Sequence, residues 1–155
     1  MYEIVLVLHS LLRWIVILAA LVALYRAYLG WFAKQAWSAS DRRWNMMFAH
    51  SMTAQFILGV LLYVFLSPIT TQGVFQNFGV VMKDRIMRFW GIEHTITMLL
   101  SVALAHIGNA RAAKAASDND KHKSAALMFT LALLLILVSI PWPFLVYGRP
   151  LFRFF

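Results

Sequence analysis

The chain has 155 residues, 62% of them hydrophobic and 13% charged, and its mean hydropathy is +0.73. That balance excludes a disordered chain and departs from ordinary soluble domains. Fourteen Lys and Arg against six Asp and Glu give a formal charge of +8, and cysteine is absent; no disulfide framework, thiolate-held zinc or iron–sulfur cluster, or thiol nucleophile is available.

The apolar residues fall in four blocks: Ile4 to Leu29, Met46 to Leu66, Phe89 to Ala110 and Ala125 to Tyr147. A membrane span needs roughly 20 residues, and in lipid the backbone must satisfy its hydrogen bonds within its own segment, so the blocks predict four transmembrane helices. The expected fold is an all-α membrane protein, a single up-down four-helix domain over residues 1–155. The first block is too long for a signal peptide, follows the acidic Glu3 and precedes no small-residue cleavage site, so it is read as a mature span.

In the first link, Trp31, Phe32, Trp37 and Trp44 read as interface anchors, and Ser40 and Asp41 as N-caps of the second helix. In the second link, Pro68 stops a helix. Phe75, Phe78, Met82, Ile86 and Phe89 then recur at helical spacing, which predicts one short amphipathic interfacial helix. The third link carries a turn signal at Ser117 to Asp120, and Lys121, His122 and Lys123 read as a solvated basic flank. Pro141 and Pro143 break or end the fourth helix, and Trp142, Tyr147 and the tail from Phe152 to Phe155 read as interfacial anchors. Eight cations flank the first and third links and five lie on the other side. The bias favours both termini outside and the first and third links in the cytoplasm. The cations meet anionic lipid, and no basic stripe suited to nucleic acid is present.

Four of the five histidines fall inside spans. An ionisable residue in the membrane is a functional hypothesis by default. His9 and His94 share a depth near one face; His50 and His106 share a depth near the other. The two levels are roughly 18 Å apart along the third span. Two helices offering imidazoles at one level is the arrangement that a b-type haem requires, and small residues nearby leave room for a macrocycle. Arg13 and Arg88 are placed for the propionates of the outer haem, Arg111 and Arg43 for those of the inner one. Residues 12 apart on a helix point about 120° apart, so His94 and His106 do not share a face, and a one-haem arrangement meets fewer obstacles than two. The plainer reading of each histidine is an interhelical hydrogen bond.

Glu93 is the only acid well inside a span; it is read as an ion pair with Arg13 or as a proton acceptor for quinol. One membrane Glu cannot build a carboxylate-bridged di-iron site, Glu93 beside His94 is not a zinc-hydrolase motif, and Ser10, Ser51 and Ser101 lack the partners of a hydrolase triad. Gln55, Thr95 and Thr97 read as interhelical hydrogen bonders.

The segments His9 to Trp14, Phe48 to His50, Arg88 to His94, Lys121 to Lys123 and Ile140 to Pro143 together resemble a family of small bacterial four-helix membrane proteins labelled "cytochrome B". The resemblance covers nearly the whole chain. It implies a four-helix membrane bundle with recurring positions at His9, Arg13, His50, Arg88, Glu93 and His94. The position held by His106 is less regular there, so the resemblance favours the outer pair. The resulting expectation is a b-type cytochrome with one or two haem b groups, passing electrons between quinol and a partner within a respiratory or photosynthetic complex. The alternatives are a cofactor-free accessory subunit of such a complex and a small proton-coupled carrier using Glu93.

Overall fold

The computed structural model describes residues 1–152; Arg153, Phe154 and Phe155, part of the expected anchoring tail, lie outside them. Six α-helices are present among the described residues: α1 (Tyr2–Phe32), α2 (Ala39–Leu61), α3 (Phe78–Lys83), α4 (Arg85–Arg88), α5 (His94–Lys114) and α6 (Asp118–Ser139). A π-helical turn, Leu62–Leu66, prolongs α2, and another, Phe89–Glu93, joins α4 to α5. Four continuous segments are long and apolar enough to cross a membrane: Tyr2–Phe32, Ala39–Leu66, Arg85–Lys114 and Asp118–Ser139. The protein is an all-α membrane bundle.

The helices form a ring in the order α1, α2, α5, α6, each packed on its two neighbours. Small residues permit that packing. Ala19, Ala20, Ala23 and Ala27 form the buried stripe of α1, and Ala125, Ala126 and Ala132 lie in that of α6; short side chains let membrane helices approach where no hydrophobic drive separates protein from lipid. Phe48 and Phe129 fill the centre edge to face, with ring centroids 5.0 Å apart. Leu18, Leu134 and Val138 face outward, as a lipid-facing surface requires.

The ends are set by local chemistry. Lys34 takes a left-handed φ of 50° just after α1. Ser38, rather than Ser40 or Asp41, caps α2: its hydroxyl accepts from the Asp41 amide while the Asp41 carboxylate accepts from the Ser38 amide, a reciprocal capping box. Ser117 caps α6 through the Asp120 amide. The fourth span therefore begins at Asp118 and ends at Ser139, well before Tyr147, because Pro141 and Pro143 cannot continue the ladder. The second link is not one amphipathic helix. It divides into a π turn (Ile69–Val74), α3 and α4, and Asp84 breaks it by capping α4 through the Met87 amide at 2.7 Å. Trp31, Trp37 and Trp44 pack partly buried against the core, leaving Phe32 as the exposed ring of that link at 72%.

Three π turns cluster at the end of the bundle that carries the N-terminus of α1 and the C-terminus of α6. Such turns re-aim side chains and recur at functional sites. Beyond α6, the segment from Ile140 to Phe152 folds back over this end. Tyr147 stacks on Phe89 at 3.6 Å, and Phe152 stacks on Trp14 at 5.2 Å.

Candidate functional site

A cavity of about 160 Å³ opens at this end, between α1, α2, α5 and the returning C-terminal segment. His9, Arg13, Gln55, Trp90, His94 and Arg149 are its principal polar lining; Leu6, Met52, Met98 and Ile136 are among its apolar walls.

His9 and His94 meet here. Their ring centroids are 6.4 Å apart and their planes are inclined by 68°. His9 has room because Gly59 lies opposite: a Cβ there would come within 3.4 Å of His9 Cε1. Gln55 Nε2 donates to the His9 main-chain carbonyl at 2.9 Å, tying α2 to α1 at this level. His94 Nδ1 is 3.0 Å from the Ser139 carbonyl and 3.2 Å from the Ser139 hydroxyl. A carbonyl only accepts, so Nδ1 carries the proton and Nε2 the lone pair. A bond of this kind fixes the ring's tautomer and orientation.

Four buried polar atoms in this cavity find no hydrogen-bond partner: His9 Nδ1, Arg13 Nε, Gln55 Oε1 and Trp90 Nε1. Buried polar groups are ordinarily satisfied. Their convergence on one cavity makes it the candidate site.

The remaining predicted residues are placed differently. Arg13 reaches the Leu151 carbonyl through Nη2 at 2.6 Å and Ser10 Oγ at 3.4 Å. Arg88 lies outside the cavity, where its Nε pairs with Glu93 Oε1 at 2.7 Å. Glu93 is thus partnered by Arg88, not Arg13, and its side chain is 46% exposed; the five-residue offset across the π turn brings the pair together. Arg149 is the second cation of the cavity, its guanidinium 5.2 Å over the Trp90 ring.

His50 and His106 are not brought together. His106 Nε2 is 2.8 Å from Thr53 Oγ1, and that hydroxyl lies 3.1 Å from the Ala49 carbonyl. The contact with Thr53 occupies His106 Nε2 and holds the ring one helical turn away from His50. Both histidines are exposed, and no ring contact joins them among the described residues.

His122, expected in a solvated flank, is instead fully buried at 0% exposure. It sits on the inward face of the second turn of α6, against Gly30 and 4.8 Å from the Trp37 ring. Neither ring nitrogen has a partner. Lys121 and Lys123 point outward, to Asp118 at 2.8 Å and over Trp31 at 5.9 Å. Gly30 is distant in sequence and carries no local sign of what it accommodates. Arg149 was hidden for a related reason: it follows the helix-breaking prolines, and only the fold-back carries it to Trp90.

Among the described residues, no group of three or more His, Cys, Asp or Glu side chains gathers to hold a metal ion. Comparison with protein-family models, with curated proteins and with solved structures finds no match.

Proposed function

We propose that the protein is a membrane electron carrier of the b-cytochrome type that holds one haem between His9 and His94. The carrying observation is the 6.4 Å separation of the two rings. Two imidazoles sharing one metal have centroids about 6 Å apart, given metal–nitrogen lengths of about 2 Å. His94 already has its Nδ1 fixed by Ser139 and its Nε2 free to bind. Arg13 and Arg149 offer counter-charges for propionates, in place of the expected Arg88.

Haem would supply one-electron chemistry there. His9 and His94 would hold it, Arg13 and Arg149 would offer charge, and the apolar wall would limit the access of water. A volume of about 160 Å³ is the room of a single aromatic ring, so a macrocycle enters only as the wall yields. Met52 and Met98 are its most pliable members.

The surrounding lipid suits exchange with quinol. The links between spans are too short to form a substrate domain, so the other redox partner is a protein, and the chain serves as a subunit of a larger respiratory or photosynthetic assembly. The excess of cations beside the first and third links supports a location in a bacterial inner membrane with both termini in the periplasm. The small cavity volume favours the second reading, a cofactor-free accessory subunit.

The visible spectrum of the pure protein in detergent separates the two. The cytochrome reading expects a Soret band that sharpens on dithionite reduction, is lost in His94→Ala and survives in His50→Ala. Absence of the band in a fully helical protein overturns it.

A further inference from the structure

We infer that the end of the cavity bounded by Arg13 and Arg149 binds an oxyanion, a carboxylate or phosphate borne by an apolar, membrane-dissolved body. Both arginines line the cavity, and no Asp or Glu does among the described residues. The one acid on the π turn beside it, Glu93, is taken by Arg88. Among the described residues, Arg13 Nη2 has only neutral oxygens as partners, the Leu151 carbonyl and Ser10, and these leave the charge uncompensated. Its Nε is buried without any acceptor. A second donor without an acceptor, Trp90 Nε1, belongs to the ring over which Arg149 stands.

Cations inside a membrane are costly and ordinarily paired. Here two cations and an indole N–H border one cavity, and none of them meets an anion among the described residues. Arg13 stands partly buried, and Arg149 is at the exposed mouth. The walls below are apolar: Leu6, Val16, Met52, Met98 and Ile136. A ligand that fits both halves has an anionic edge and a hydrophobic remainder. Haem propionates and the phosphate of an anionic lipid share that chemistry, so the site depends on the cavity and not on haem.

The test uses the full chain in neutral detergent and two matched pairs of probes: haem b against its dimethyl ester, and phosphatidylglycerol against diacylglycerol of the same chains. Affinities are read by native mass spectrometry and calorimetry for wild type, Arg13→Gln, Arg149→Gln, Arg149→Lys and Arg85→Gln, with helicity checked by circular dichroism. Charge-assisted hydrogen bonds predict that at least one anionic probe binds about ten-fold or more tighter than its neutral counterpart. Arg13→Gln and Arg149→Gln are each expected to remove most of that preference, Arg149→Lys to restore part of it, and Arg85→Gln, outside the cavity, to leave it unchanged. Should Arg13→Gln fail to fold, the Arg149 pair carries the test, because that side chain stands at the mouth.

Equal binding of charged and neutral probes, or correctly folded glutamine variants that bind as wild type, overturns the anion site. A His94-dependent Soret band with equal affinity for haem and its ester overturns it while leaving the cytochrome reading intact. Saturable preference for phosphatidylglycerol with no Soret band upholds the anion site and removes the cytochrome reading.

Discussion

The last residue of α6 orients an imidazole on α5: the Ser139 carbonyl accepts from His94 Nδ1 at 3.0 Å. This carbonyl is available because the helix stops there. Pro141 follows two residues later, and with the ladder ended the terminal carbonyls seek other partners. The helix-breaking Ile-Pro-Trp-Pro segment thus does two things, freeing the acceptor that fixes His94 and turning the chain back across the cavity.

The Ser139 hydroxyl lies slightly farther from the same nitrogen, at 3.2 Å. Ser139→Ala is therefore expected to keep the His94 orientation through the backbone. Its cost is about 0.6 kcal/mol, the usual worth of one side-chain hydrogen bond between membrane helices. Denaturing-detergent titration measures that cost. A spectrum or ligand affinity lost as completely as in His94→Ala would show that the hydroxyl, not the carbonyl, orients the ring.

Gly30 and His122 are coupled by contact. A Cβ on Gly30 would overlap the His122 ring, and that ring is fully buried with the Trp37 ring 4.8 Å away, which leaves it little freedom to move. Gly30→Ala should destabilise the bundle by about 1–3 kcal/mol, the usual cost of overpacking. In His122→Ala the same substitution should cost much less, since the obstructing ring is gone. A double-mutant cycle with no coupling between the two positions would refute the contact.

Two ion pairs predict outcomes of different size. Arg26 Nε meets Asp41 Oδ1 at 2.9 Å, with the Asp41 side chain only 7% exposed, and Asp41 also closes the capping box of α2. Asp41→Asn should cost about 2 kcal/mol, less than a fully buried pair because Arg26 remains a third exposed. Arg88 and Glu93 are 37% and 46% exposed, so Glu93→Gln should change stability by about 0.5 kcal/mol or less. Unfolding titrations of the two variants side by side give the comparison. Equal losses would contradict the burial difference.

The span count was legible because lipid leaves a backbone few options, and the His9–His94 level followed from counting residues along antiparallel rods. What counting cannot supply is rotation about each rod. The depths of His50 and His106 match in sequence, yet Thr53, one turn along α2, is the residue that faces His106. The same ambiguity hid His122: a basic neighbourhood read as solvated, whereas its helical phase turns the ring inward between two outward lysines. Of the two roles the sequence offers Glu93, an ion pair with Arg13 or proton acceptance from quinol, the first is overturned: across the π turn its carboxylate meets Arg88. Periodicity fixes a helix; a one-residue bulge is enough to redirect its partners.

The Thr53–His106 bond decides whether a second cofactor level exists. Whichever of the two groups donates, the 2.8 Å contact engages His106 Nε2, and a ring nitrogen so engaged is not available to iron. Thr53→Val removes the hydroxyl while keeping the side chain's shape. Its expected effect is a loss of about 0.6 kcal/mol in a detergent unfolding titration, with no change in ligand stoichiometry or visible spectrum. His106→Ala should likewise leave any spectrum untouched. A two-haem protein behaves otherwise: His106→Ala halves the haem content per chain, and Thr53→Val, by freeing the nitrogen, raises inner-site occupancy. Haem-to-protein ratios of the purified variants distinguish the cases, and any His106-dependent loss of haem would disprove the single-site arrangement.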